Sequence, residues 1–313
     1  MSQFDTSPMT LLKRGVMYKY RAYGLKIISD TAFEQFVRND FEGEADLQMH
    51  HYVEDNVKEI LVNDNQVCVR GKDIFFRNYA GFFEARLGNE IFYEEHEGVN
   101  EAVAKEFVMG NVMALLFLER GLNVIHGAAV RYRDKTIIIS GNSGAGKSTV
   151  TTELIRRGAK LITDDQSVIS FENGEPVIIP GYPSQKLCED AARRNELEID
   201  ELVKVDDTKN KYAISRVGSF YPEISRIDAA FFISRHEEGE NLLAGQVTGA
   251  RKADVITKNL FLKPFFTTTM PIPPKMMMDC ITLAGKIVVY EVSRKSNAQT
   301  LDSIIDYIDS ALG

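Results

Sequence analysis

The feature that most constrains this chain is an uninterrupted Gly-x-x-x-x-Gly-Lys-Ser run at residues 141–148, entered by the apolar TIIIS and left by a stretch of helical periodicity. Such a run demands a strand, a tight loop and a helix in succession. Glycines allow the backbone to wrap closely around an anion, because a Cβ would clash or forbid the required dihedrals. Successive N–H groups then point inward, and the positive end of the following helix adds its attraction. Gly141, Asn142, Ser143, Gly144, Ala145, Gly146, Lys147, Ser148 and Thr149 together form the cradle this predicts. Lys147 is suited to reach the β and γ phosphates of a nucleotide, and the Ser148 hydroxyl to hold Mg²⁺. ATP and Mg²⁺ are the expected cofactors.

The surroundings agree with a strand, loop, helix, strand unit. VIHGAAVRYR and TIIIS predict a hairpin about a turn at Arg133, Asp134 and Lys135. A helix is expected over about 147–157 with Gly158 as its stop, followed by the strand KLIT, which delivers Asp164 and Asp165 at its carboxyl end. VISF and PVII then read as a hairpin turning at Asn173-Gly174. Upstream, short β-rich runs broken by Gly, Asn and Asp over residues 18–99 predict a smaller antiparallel or mixed β-unit after a flexible lead-in at 1–17. Asn100 is placed to cap a helix that runs to Arg120 and stops at Gly121. Past Pro180, GYPSQKL reads as a loop, EDAARRNELE as helical and DAAFFIS as a buried strand. Leu301, Ile304, Ile305, Ile308 and Leu312 share one face of a last helix capped near Ser296 or Asn297. The expected class is α/β, with residues 100–313 as the phosphate-loop domain.

A phosphate loop alone serves switches, motors and kinases, so the acceptor side must discriminate. Two carboxylates at the carboxyl edge of an open α/β sheet lie where ligands gather. Adjacent strand residues face opposite ways, so one can meet Mg²⁺ while the other meets an incoming hydroxyl and takes its proton; a solvated acidic turn is the plainer alternative. His126, on the strand expected beside the loop's own, can orient the base or a phosphate oxygen, although a lone strand histidine is more often structural. Arg251 is a candidate phosphate clamp or a solvated helix position. Tyr182, with Pro183, is a candidate for shaping a lid or peptide groove, or simply a turn. Met276, Met277 and Met278 suit core packing better than a peptide-binding surface.

The 313 residues carry a formal net charge of −8 and have no basic stripe, which argues against nucleic acid as a partner. The longest apolar run, VMALLFL, is far short of the roughly 20 residues a membrane span needs. The amino terminus lacks a basic-then-apolar signal pattern, so a cytoplasmic location is expected. Cys68, Cys188 and Cys280 have no paired spacing and read as reduced, buried thiols.

From His126 to Asp165 the runs HGAAV, IIISGNSGAGKST and LIRRGAKLITDD resemble the catalytic domain of the HPr serine kinase/phosphorylase family, whose core relates to phosphoenolpyruvate carboxykinase. The resemblance implies an active site of His126, Lys147, Ser148, Asp164 and Asp165, with Asp164 as general base and Asp165 assisting at the metal. The family's glycine-rich signature after the acidic pair is missing. YKYRAYGLKI and PGYPSQKL instead resemble HPr-kinase-like proteins of lasso-peptide biosynthesis, which implies phosphorylation of a serine at the carboxyl terminus of a precursor peptide. A kinase of an HPr-like protein, a kinase of a small hydroxylated metabolite and a nucleotide-binding regulatory protein are the alternatives. The β-rich amino-terminal unit favours a peptide acceptor, to which it can offer a sheet edge. A homo-oligomer is compatible with all of these.

Overall fold

The computed structural model describes residues 16–63, 67–194, 198–199, 202–206, 210–262 and 272–313; all of the expected lead-in but its last two residues lies outside them. Eight strands come first, with one short helix among them: β1 (Tyr18–Ala22), β2 (Leu25–Ser29), β3 (Val37–Arg38), β4 (Leu47–His50), α1 (Asp55–Lys58), β5 (Val67–Arg70), β6 (Asp73–Asn78), β7 (Gly81–Arg86) and β8 (Glu90–Glu95). They form one sheet in the order β3-β1-β2-β4-β8-β7-β6-β5. The sheet is mixed, since β4 runs parallel to both β2 and β8 while the other neighbours are antiparallel.

Asn100 caps the next helix as expected, accepting the Ala102 N–H through its side chain. The helix is not uniform. It runs as α2 (Glu101–Phe107), widens to a π-helical stretch at Val108–Val112, and resumes as α3 (Met113–Glu119) before Gly121 turns the chain with φ +71°. Its buried side chains, Val103, Val108, Met109, Val112 and Leu116 among them, join the core of the first sheet. Core side chains from both sides of residue 99 thus form one cluster.

The second sheet is built from β9 (Asn123–Tyr132), β10 (Lys135–Gly141), α4 (Lys147–Arg156), β11 (Lys160–Thr163), β12 (Gln166–Glu172) and β13 (Glu175–Ile179). After these come β14 (Ser184–Cys188), α5 (Glu189–Arg194), β15 (Val203–Asp206), β16 (Lys211–Ser215), β17 (Ser225–Arg226), β18 (Ala229–His236), β19 (Leu242–Val247), α6 (Arg251–Lys258), α7 (Pro274–Lys286), β20 (Val288–Lys295) and α8 (Leu301–Leu312). Its order is β17-β13-β12-β9-β10-β18-β20-β19, with β11 also paired to β9, while β14, β16 and β15 form a separate small sheet.

The apolar run TIIIS is explained by burial on both faces of the second sheet. Ile138 faces a cluster shared with α6 and α7, whereas Ile137 and Ile139 face one shared with α4 and α8. A strand covered on both sides has no solvent face to mark with polar residues. The β9–β10 turn places Arg133 and Asp134 at positive φ, and the β12–β13 turn does the same at Asn173 and Gly174, the geometry of primed hairpin turns. Three expectations need correction. GYPSQKL is a strand from Ser184 onward, not a loop. The last helix starts at Leu301 with Thr300 in the cap position, without a side-chain cap bond, rather than being capped near Ser296 or Asn297. Of the three cysteines expected to be buried, Cys280 is, but Cys188 is exposed and Cys68 is half-buried.

Gly127 of β9 is held by sterics alone: a Cβ there would lie 2.5 Å from the Ile139 carbonyl oxygen across the β9–β10 ladder. G127A is expected to destabilise the chain by about 2–4 kcal/mol, read as a lower denaturation midpoint in urea; an unchanged midpoint would show that the ladder gives way.

Candidate functional site

The loop between β10 and α4 meets its geometric requirements. Gly141, Gly144 and Gly146 have φ of +139°, +77° and +109°, and a Cβ on Gly141 would sit 1.9 Å from the Ile233 carbonyl oxygen. No other residue type fits there without moving β18. Gly146 forms the amino-terminal cap of α4, so the helix opens directly from the loop. The N–H groups of Gly144 and Gly146 have no acceptor among the described residues, which suits them to an anion. Lys147 Nζ lies back on the loop, donating to the carbonyls of Gly141 at 2.7 Å and Asn142 at 3.3 Å. A phosphate in the cradle offers that ammonium a charged acceptor in place of two neutral ones.

The acid pair is set by the pairing around β9. Both β11 and β12 pair antiparallel with β9, Thr163 opposite Ala129 and Gln166 opposite His126. Asp164 and Asp165 bulge out between them, with Asp165 at φ +63° and its carbonyl accepting the Gly127 N–H. On its other edge Gly127 is paired with Ser140, the residue that enters the loop. One strand therefore carries the acid bulge on one flank and the phosphate loop on the other. Bulges beside functional sites re-aim side chains in this way.

Three side chains, Lys186, Glu106 and His126, gather about the bulge. The Lys186 backbone N–H donates to Asp164 Oδ2 at 2.8 Å, and Lys186 Nζ lies 3.3 Å from Asp165 Oδ2 and 2.6 Å from Glu106 Oε2. His126 Nδ1 stands 3.4 Å from Asp165 Oδ1. Burial, and then the charge of Asp165, push the Asp164 carboxyl up to about 6. Burial acts against Asp165 as well, but Lys186 foremost, with His126, Lys211 and Lys147 behind it, outweighs burial and holds that carboxyl well below the usual range. Burial lowers the His126 pKa despite Asp165, so the imidazole is neutral at physiological pH. Two neighbouring carboxylates are thereby made unequal, one a stronger base and one firmly ionised, the pattern expected of divided roles.

β14 is the part of the site that sequence reading missed. Gln185 accepts from Arg216 at 2.7 and 2.9 Å and from Thr152 at 3.3 Å, and its amide approaches the Ser148 carbonyl at 3.4 Å. Gln185 and Lys186 are polar because they serve buried partners, and that polarity is what made the segment resemble a loop. Gln166, directly after the bulge, donates to the Gly110 carbonyl in the π-helical stretch. The helix of the first sheet thus reaches both sides of the acid pair, through Glu106 and Gly110.

Other candidates fall elsewhere. Tyr182 is buried in the core of the first sheet, its ring 5.1 Å from that of Phe36 and 6.0 Å from that of Tyr23, which removes it from any lid or groove surface. Arg251 is exposed, and its polar partner among the described residues is Glu291. Met276 packs in the core, while Met277 and Met278 are exposed. For Mg²⁺, the Ser148 hydroxyl at the start of α4 and the ionised Asp165 carboxylate are hard oxygen donors of the right kind. No helix among the described residues is long and apolar enough to cross a membrane.

Comparison with known proteins falls on this same region. Residues 121–189 match the family model of the HPr Serine kinase C-terminal domain. An HPr kinase/phosphorylase of Treponema pallidum (strain Nichols) is 46% identical over 111 residues, 30% of this chain and 35% of the relative. That of Streptococcus equinus is 28% identical over 116 residues, 37% of this chain and 33% of the relative. The chain thus spans about a third of the length of these relatives. The solved structure of the Hpr(Ser) kinase/phosphatase from Coxiella burnetii aligns with 60% of this chain and 94% of its own at 11% identity and a TM-score of 0.30, too slight a likeness to bear on the site.

The unequal carboxylates have a consequence for stability. Asp164 titrates near 6 when folded and near 4 when unfolded. As the pH rises through that window the unfolded chain loses its proton first, so the group's contribution to stability falls. D164N is expected to be more stable than the parent at pH 8, with the difference shrinking below about pH 4. Denaturant titrations across pH check this, and a pH-independent difference would contradict the raised value.

Proposed function

We propose, from a chain whose residues 121–189 carry the match to the HPr serine kinase C-terminal domain, that this protein is an ATP-dependent phosphotransferase acting on a serine hydroxyl of a protein or peptide. The observation that carries the reading is the shared strand β9, which sets a pair of unequal carboxylates beside the entry to a phosphate-binding loop. The loop at 141–149 holds the phosphates, with Lys147 reaching the β and γ groups. Ser148 and Asp165 hold Mg²⁺, which when bound neutralises charge on the phosphates. Asp164 accepts the proton of the serine hydroxyl as the new O–P bond forms and the bond from the γ phosphorus to the leaving phosphate oxygen breaks, yielding phosphoserine and ADP.

The Asp164 carboxyl, at about 6, is more basic than an ordinary aspartate yet still largely ionised at neutral pH, which suits a general base. Lys186 keeps Asp165 ionised and holds Asp164 in place through its own amide. Neutral His126 faces Asp165 and orients it. Among acceptors, the relatives' names favour an HPr-like protein. The segments YKYRAYGLKI and PGYPSQKL favour the carboxyl-terminal serine of a lasso-peptide precursor.

In D164N, phosphoryl transfer is expected to fall by about 100-fold or more while ATP affinity stays within about threefold of the parent. Mass spectrometry after incubation with Mg-ATP and, separately, HPr, a serine-terminated precursor peptide and free serine identifies the acceptor. The precursor is expected to gain phosphate. Gain on HPr alone would move the substrate to the HPr class, and gain on free serine alone would replace the peptide reading with a metabolite kinase.

A further inference from the structure

The loop strand β10 has two neighbours, and they differ in chemistry. On the β9 side stand His126 and the acid bulge, which mark the end where the terminal phosphoryl group is transferred. On the other side β18 and β20 run parallel to β10 and to each other, ending at the same carboxyl edge with Arg235 paired to Arg294. Ligands of open α/β sheets extend along that edge. A triphosphate with its reacting end at β9 therefore leaves its other end toward β18 and β20.

Both arginines meet the loop there. Arg294 Nε donates to the Ala145 carbonyl at 2.8 Å, with Nη2 3.5 Å from the Gly144 carbonyl, so this guanidinium braces the loop from outside. Arg235 is different. A Cβ on Gly144 would come within 3.3 Å of its Nη2, it is exposed, and among the described residues it has no hydrogen-bond or ion-pair partner. Burial, and then the charge of Arg235, lower the Arg294 pKa, so the two cations are near enough to repel. A cation set beside another cation at a ligand edge, with no carboxylate among the described residues to hold it, suits an electron-rich ligand. A guanidinium also offers a flat face on which a π system can stack, which an ammonium does not.

We infer that Arg235 is the contact for the nucleoside end of the bound triphosphate, its guanidinium plane lying against the base, with Arg294 holding the loop in shape beneath it. This rests on the phosphate-loop reading above and adds to it a residue outside the loop motif. Base recognition at this point acts on binding of the donor nucleotide and leaves the acceptor side untouched.

Calorimetric titration of the full chain with ATP and, separately, with inorganic tripolyphosphate tests the inference, because the two probes share the phosphate chain and differ in the nucleoside. R235A is expected to bind ATP about tenfold more weakly and tripolyphosphate as the parent does. R235K should remain weak toward ATP, since it restores charge without the plane. K147A should weaken both probes. Equal loss on both probes in R235A would make Arg235 a phosphate contact; that result, no loss on either probe, or full recovery in R235K overturns the assignment. Failure of the parent chain to bind either probe would instead sink the phosphate-loop reading, and this inference with it. An unchanged denaturation midpoint for R235A, expected for an exposed side chain without partners among the described residues, keeps any loss of affinity attributable to the contact.

Discussion

Two carboxylates on adjacent residues repel each other, and a half-buried turn aggravates the cost by removing water. Lys186 makes the arrangement tolerable. Its backbone amide satisfies Asp164, its ammonium faces Asp165, and Glu106 on the far side offsets the positive charge it brings into the interior. A buried ion pair is a poor source of net stability, but removing one partner leaves an uncompensated charge and costs several kcal/mol. The acid bulge, the small sheet carrying β14 and the helix of the first sheet are therefore held together at one point. The resulting asymmetry, one carboxyl raised and its neighbour lowered, is what gives the pair separate chemical roles.

The same junction explains why the first sheet matters to the site. Glu106 lies in α2, just before the π-helical stretch, and the Gly110 carbonyl within that stretch takes the Gln166 amide. Single-turn widenings of this kind often lie at functional positions. Here the widening presents a carbonyl to the residue that follows the acid pair. The core around this helix gathers side chains from both β-rich halves of the chain, Tyr20 and Tyr93 from the first and Val168 and Tyr182 from the second.

Several elements were legible because their physics is local. The phosphate loop was visible because three backbone positions require glycine and the lysine and serine have fixed places after them. The Arg133-Asp134 and Asn173-Gly174 turns, the Asn100 cap and the Gly158 stop rest on conformations decided within a few residues. Asp164 and Asp165 were identifiable as candidates for the same reason, since they end an apolar strand soon after the loop's helix. Gln185, Lys186 and Arg216 were not. Their meaning depends on partners 21 to 80 positions away, and without those partners a polar stretch such as SQK is indistinguishable from a surface loop. Tyr182 shows the reverse error, an aromatic beside two prolines and a glycine that reads as a turn and proves to be core.

By itself, then, the sequence determined the α/β class, the loop that cradles an anion and the presence of an acid pair after it, because each follows from short-range sterics and hydrogen bonding along the chain. Only the tertiary structure decided that β11 and β12 share one neighbour and expel the acid pair as a bulge, and that a lysine from another sheet makes the two carboxylates unequal. It alone brought two arginines from distant strands against the outer face of the loop. Charge and burial act through space, and which groups lie near one another is set by packing rather than by order in the chain.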